Sequence, residues 1–314
     1  MIPSADALHR HHCRHVHPVA ATCRWHRSQF TDFSTLHTAM WITVTLLLQT
    51  ELARKMMNFS RRNALKTGMG TLAGLSAASP LFRLAIAQES TADTYSTDNG
   101  EISVHPVSHA SFVMQTPGTV IYNDPVGGAD LYSALPPADL ILITHEHGDH
   151  YDVDTLNALL GDDTRLLTNP AVLEMLPGAL KERASAIGNG DTTEIDGMGI
   201  EAIAAYNLTE ERLKYHPKGR DNGYLLTIDG MRVYIAGDTE ATPEMRALTD
   251  IQLAFVPMNL PYTMDIEQAA EGVVDFAPSV VYPYHYKGSD AEAFARLVNE
   301  NNSDIRVMQG AWYS

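Results

Sequence analysis

The hydrophobic positions of this chain fall into two regimes. Up to residue 87 they keep no sustained period, whereas from 101 onward short apolar runs alternate with amphipathic stretches. Two-residue alternation and β-branched or aromatic content predict strands near 101–106, 111–115, 119–123, 139–144, 199–205, 223–228, 231–236, 251–257, 279–283 and 304–308. Pro117-Gly118 and Asp229-Gly230 mark turns between neighbouring strands. A helical period predicts helices around 152–160, 170–184, 242–249, 265–276 and 289–300. Strands and helices alternate in two similar halves. Periodicity alone leaves two α/β architectures open, two sheets face to face with helices outside, or one doubly wound sheet.

The chain divides into three parts. Residues 1 to 55 carry both cysteines, Cys13 and Cys23, and seven of the fourteen histidines, without ordered spacing. They read as an upstream extension, unstructured or not translated, and the apolar stretch 40 to 48 is too short to span a bilayer, which takes about twenty residues. Residues 56 to 87 place Arg61-Arg62 ahead of a Gly/Ala-rich apolar run, and Ala85-Ile86-Ala87 supplies small residues for cleavage before Gln88. This segment resembles a twin-arginine (Tat) export signal. It implies a periplasmic or secreted product, transient contact with the Tat machinery and no stable membrane association. An uncleaved anchor is the other reading. Residues 88 to 314 suffice for one α/β domain with a sizeable core.

Charge sharpens this division. Residues 88 to 314 hold twelve of the 22 basic and thirty-five of the 38 acidic residues, a difference of −23. Such a surface repels polyanions, so nucleic-acid substrates are excluded and a small molecule is expected. The same segment has no cysteine, which leaves imidazole and oxygen donors for any metal site.

Candidate chemistry centres on Thr144-His145-Glu146-His147-Gly148-Asp149-His150, which follows an apolar strand-like run. His145 and His147 can serve one metal and Asp149 with His150 a second beside it. Asp238, after a strongly β-prone run, can bridge two cations; its lesser reading is the cap of a helix beginning near Thr242. Asp124, at a strand end, can accept from a ligand imidazole or cap the turn at Pro125, and His109 can line the pocket or pack under the first hairpin. Arg212, Lys214, Lys218 and Arg220 lie within nine positions. They form either an anion clamp or a solvated loop. Tyr262 could present a phenol to substrate, while Asp265 reads as the cap of the following helix.

The His145 to His150 motif resembles the HxHxDH signature of the metallo-β-lactamase superfamily. His109-Ala110-Ser111-Phe112, Asn123-Asp124-Pro125, Ala205-Tyr206-Asn207 and His216-Pro217-Lys218-Gly219 further resemble its lactonase-like, ascorbate-phosphate-lactonase-related branch. The resemblance covers nearly all of 101 to 312 and selects the α/β architecture, an αββα four-layer sandwich. It implies two divalent metal ions, zinc by default with manganese or iron as alternatives, held by His145, His147, Asp149, His150, Asp238 and His285. Asp149 would also orient the attacking hydroxide as a catalytic residue. The superfamily places a third histidine for the first metal after the strand ending at Ala205. Here either Asn207 fills that slot or the loop folds back and His216 does. The expected activity is hydrolysis of a small anionic substrate, an ester, lactone or phosphodiester, with Lys214, Lys218, Arg220 and Tyr262 as substrate contacts. Histidine at 147, where the di-iron redox branch carries glutamate, argues for hydrolysis. The competing reading is a non-enzymatic periplasmic metal- or ligand-binding protein whose first metal site has degraded.

Overall fold

A computed structural model describes residues 92–313. The expected extension at 1–55 and export signal at 56–87 lie outside the described residues. The first sheet runs in sequence order through β1 (Asp93–Ser96), β2 (Glu101–Ser108), β3 (Ser111–Thr116), β4 (Thr119–Asn123), β5 (Leu140–Leu142), β6 (Arg165–Thr168) and β7 (Ala184–Ala186). The second runs through β8 (Thr192–Ile195), β9 (Met198–Ala205), β10 (Asp221–Ile228), β11 (Met231–Ile235), β12 (Leu253–Pro257), β13 (Val280–Tyr284) and β14 (Arg306–Val307). Each sheet starts with antiparallel pairings among its first four strands and continues with parallel ones. The second half repeats the topology of the first.

Side-chain alternation shows why two layers form rather than one. On the inner faces Phe112, Met114, Leu140 and Leu142 meet Val233, Ile235, Phe255 and Tyr282 in one cluster. The residues between them point the other way. Val113 and Ile141 pack outward on Leu156, Val172 and Leu180, which belong to α1 (Val153–Leu159), α2 (Pro170–Met175) and α3 (Gly178–Lys181). Tyr234, Ala254 and Val256 pack on Met245, Val273, Phe276 and Phe294 of α4 (Pro243–Arg246), α5 (Ile266–Phe276) and α6 (Ala291–Asn301). Strands apolar on both faces must be covered on both. The result is the four-layer αββα sandwich that the resemblance implied.

Local chemistry sets the helix starts. Asp152, Asn169, Thr242, Asp265 and Asp290 each accept backbone N–H bonds in the first turn of their helix. Asp265 is thus the cap expected of it. The helix predicted over 170–184 is two short ones, because Pro177 holds Leu176 in extended backbone and ends the first. The helix at 242–249 shortens to one turn. Strands β1, β6, β7 and β8 were not predicted. The β8–β9 hairpin carries a legible signal, Asp196-Gly197 with φ of 52° and 79°, like the Asp229-Gly230 turn between β10 and β11 at 48° and 80°. No helix among the described residues is long and apolar enough to cross a membrane.

Phe255 lies at the centre of the inter-sheet core, stacked 4.1 Å from Phe112 and 5.3 Å from Tyr282 between ring centroids. Replacing Phe255 by Ala leaves a cavity between two sheets that cannot approach further. The expected loss is about 3–5 kcal/mol of unfolding free energy, read from the urea midpoint at constant slope.

Candidate metal centre

Every chemistry-bearing side chain reaches one edge of the sandwich because of strand direction. The parallel strands β5, β11 and β13 end there, followed by His145 to His150, Asp238 and His285 respectively. Strand β10 runs antiparallel to β11 and therefore starts at that edge, preceded by the loop carrying His216. Strand β3 likewise starts beside the end of β4, so the β2–β3 turn brings His109 next to Asp124. Cross-links hold the two edges in register. The Thr144 carbonyl accepts from the Asn222 N–H at 3.1 Å and from Asn169 Nδ2 at 2.8 Å, and the Tyr224 phenol donates to the Ile143 carbonyl at 2.8 Å. Gly237, at φ 66° just past β11, passes so near the start of the adjacent β10 that a Cβ would sit 2.7 Å from the Asn222 carbonyl oxygen, and 3.3 Å from the Thr144 Cβ on the other edge.

Asp238 stands at the middle, buried. Its Oδ2 lies 3.3 Å from His285 Nε2, 3.4 Å from His216 Nε2 and 4.0 Å from His145 Nε2, while Oδ1 lies 3.3 Å from His150 Nε2. Three sets have donor atoms close enough to share an ion: His145, His147 and His216; His145, His150 and Asp238, which shares His145 with the first; and His109, Asp149 and His285. The loop folds back, as one of the two expectations held, and puts His216 beside His145 and His147 with ring centroids 4.9 and 4.8 Å away. Asn207 spends its side chain otherwise, donating from Nδ2 to the carbonyls of Arg212 and Tyr262, while its backbone N–H bonds the His216 carbonyl. It shapes the loop that delivers His216.

Outer partners orient the imidazoles. Asp124 Oδ2 is 2.8 Å from His150 Nδ1, so the turn-capping alternative is not its main role, and Asp221 Oδ2 is 3.1 Å from His216 Nδ1. These contacts leave each Nε2 facing Asp238. Three of the seven non-glycine residues with positive φ among those described, His109, Asp124 and His285, sit at this edge. Backbone strain of this kind persists only where surrounding structure holds it.

Electrostatics follow from the packing. Burial opposes a charge on Asp238, but the surrounding imidazoles of His285, His150 and His216 outweigh it and keep the carboxyl well below its usual range. Burial also works against charge on His150, yet Asp238 and Asp124 together hold it well above the ordinary histidine value. His145, buried and beside His150, is driven well below it. Asp149 is half exposed; burial raises it, and the hydrogen bond from His109 together with the neighbouring imidazoles of His285 and His150 more than reverses this, holding it far below the carboxylate range.

The basic residues proposed as an anion clamp have partners within the protein. Arg220 binds Asp221 through Nε and Glu146 Oε1 at 2.7 Å, thereby tying the His145–His147 segment to the residue that orients His216. Lys218 donates to Glu244 and the Tyr206 phenol, each at 3.0 Å. Arg212 pairs with buried Glu240 at 2.8 Å, and Lys214 lies over the Tyr215 ring. Carboxylates distant in sequence thus pair with Arg212, Lys218 and Arg220, while Lys214 rests on the ring of its neighbour. Tyr262 is exposed at the rim with its ring 5.1 Å from that of Tyr215. His109, which sequence reasoning left between two roles, has Nε2 3.2 Å from Asp149 Oδ2.

Residues 103–285 match the family model described as the beta-lactamase superfamily domain. A metal-dependent hydrolase of the UPF0173 family from Thermococcus onnurineus is 31% identical over 225 residues, which is 67% of this chain and 97% of the relative. A crystal structure from Parabacteroides distasonis, assigned to the metal-dependent hydrolases, is 41% identical, with a TM-score of 0.64 over 70% of this chain and 97% of that one. The metallo hydrolase Igni18 from Ignicoccus hospitalis is 24% identical and shares the fold, with a TM-score of 0.56 over 66% of this chain and 94% of its own.

His216 and Asn207 separate cleanly by substitution. His216→Ala should remove about one metal equivalent per chain, because three donors fall to two. Asn207→Ala should keep the metal count and cost about 1–3 kcal/mol of stability through the loss of two side-chain hydrogen bonds. Elemental analysis beside urea titration checks both, and the opposite pattern would assign the slot to Asn207.

Proposed function

Since this chain belongs to the metallo-β-lactamase superfamily, among its metal-dependent hydrolases, we propose that it hydrolyses a small ester, lactone or phosphodiester at two divalent cations. Zinc is the default metal, with manganese or iron as the alternatives, and the site of action is the periplasm or the exterior after Tat export. The observation that carries the reading is a set of orphaned donors. His150 Nε2, His216 Nε2, His285 Nε2 and Asp238 Oδ1 are buried without a hydrogen-bond partner although all converge on one point. Buried polar atoms left unpaired cost about 1–3 kcal/mol each, and four of them gathered around Asp238 fit the binding of cations there.

On this reading His145, His147 and His216 would hold the first cation and Asp149, His150 and His285 the second, with Asp238 as a donor available to either. Bound there, divalent cations would supply Lewis-acid polarisation of an acyl or phosphoryl oxygen and lower the pKa of a water toward neutrality. The protein supplies the rest. Asp149 is the half-exposed member of the group. Its Oδ2 is engaged by His109 and His285, which leaves Oδ1 to orient the attacking water and take its proton. With Arg220 and Lys218 paired to carboxylates, recognition of an anionic substrate falls to the cations, and Tyr262 offers a phenol at the rim. A protein that merely holds metal with a degraded first position is the weaker reading, since His216 stands where a third imidazole is needed.

Two measurements test this. Protein purified without chelator should carry about two metals per chain and turn over members of a panel of lactones and phosphodiesters; chelation should abolish turnover and added zinc restore it. Full activity in metal-free protein would overturn the hydrolase mechanism. For export, periplasmic product should begin at Gln88, and Arg61→Lys with Arg62→Lys should hold the protein in the cytoplasm; unchanged export in that double variant removes the Tat assignment.

A further inference from the structure

His109 occupies a place that neither its neighbours in sequence nor the metal motif explains. It forms the β2–β3 turn at φ 51°, a conformation that costs a histidine free energy, and its backbone is tied on both sides. Its N–H donates to the Trp312 carbonyl at 3.3 Å and its carbonyl accepts from the His285 N–H at 3.0 Å. The ring is therefore placed by the same contacts that place His285, with centroids 3.9 Å apart.

Hydrogen-bond bookkeeping assigns the tautomer. An ionised Asp149 can only accept, so Nε2 of His109, 3.2 Å from Oδ2, carries the proton. In a neutral ring Nδ1 must then accept, and 2.6 Å away lies the Tyr313 phenol oxygen. That oxygen already accepts the Lys287 N–H at 3.0 Å, which leaves its own O–H free to point at Nδ1. Burial pushes the phenol up to about 12, so it keeps its proton across the neutral range. Trp312 anchors this segment. It is buried with its ring 5.8 Å from Phe112 and 5.9 Å from Tyr284, so the next residue, Tyr313, is delivered to the site edge from the inter-sheet core.

We infer that the Tyr313 phenol and the His109 imidazole form an outer hydrogen-bond pair that orients the Asp149 carboxylate for the second cation. His109 is then a positioning residue acting through Asp149 by an Nε2–H, and not a ligand, since a protonated Nε2 has no lone pair to give. This inference rests on the two-cation reading above, and metal binding rather than turnover is the direct readout.

The experiment is zinc titration of the metal-stripped full-length protein against a competing chelator, with melting curves as a folding control. His109→Leu should weaken the second equivalent by on the order of ten- to a hundredfold and leave the first unchanged. His109→Gln, which keeps an N–H donor at a similar reach, should restore most of the affinity. Tyr313→Phe should weaken the second equivalent in the parent but not in the His109→Gln background, because a glutamine amide needs no tautomer fixed. If His109→Gln binds as weakly as His109→Leu, the imidazole is a ligand and the inference falls. It falls too if Tyr313→Phe has the same effect in both backgrounds, or if His109→Leu changes nothing. A parent protein that takes only one equivalent overturns the two-cation reading, and the inference with it.

Discussion

The buried carboxylate of Asp238 holds the site together, with imidazoles from both sheets around it: His145 and His150 from the first, His216 and His285 from the second. A charge taken out of water costs several kcal/mol unless it is paired. The surrounding rings and the cations they would hold provide that compensation, and it requires both sheets to be present at once. The cross-links around Thr144, Asn222 and Asn169 serve the same end, since they fix one sheet edge against the other where the carboxylate enters. Gly237 belongs to the same crowded corner, a residue without a side chain where a Cβ would press on the Asn222 carbonyl of the neighbouring strand and on Thr144 of the other sheet edge.

Topology explains why so many ligands can converge. Two sheets with the same succession of antiparallel and parallel pairings present their strand ends to a common edge. Of the seven histidines between 88 and 314, all but His105 gather there. Around them stands an outer layer that is itself ordered: Asp124 on His150, Asp221 on His216, Arg220 on Asp221 and Glu146, Asn207 on the loop that carries His216. Ligand placement in this protein is a property of that outer layer as much as of the ligands.

What could be read beforehand depended on separation along the chain. The His145 to His150 motif and the strand ends before Asp238 and His285 were legible because local pattern alone specifies them. The choice between Asn207 and His216 was not, because it turns on how a loop folds back, which Glu240 decides from outside the loop by accepting from Leu208, Thr209 and Arg212. The partners of Lys218 and Arg220 were not legible for the same reason, since Glu244 and Glu146 lie far along the chain. The pairing of His109 with Tyr313 spans 204 residues and left no local trace. Among strands, β6 and β7 are short and bounded by helices, whereas β8 carried an Asp-Gly turn that went unused.

Asp238 is proposed to serve two cation positions. Crystals of zinc-loaded protein, measured for anomalous scattering at the zinc edge, address it directly. Two peaks are expected roughly 3.5–4 Å apart on either side of the Asp238 carboxylate, one among His145, His147 and His216 and the other among Asp149, His150 and His285. A single peak, or a pair that Asp238 does not touch, would contradict it.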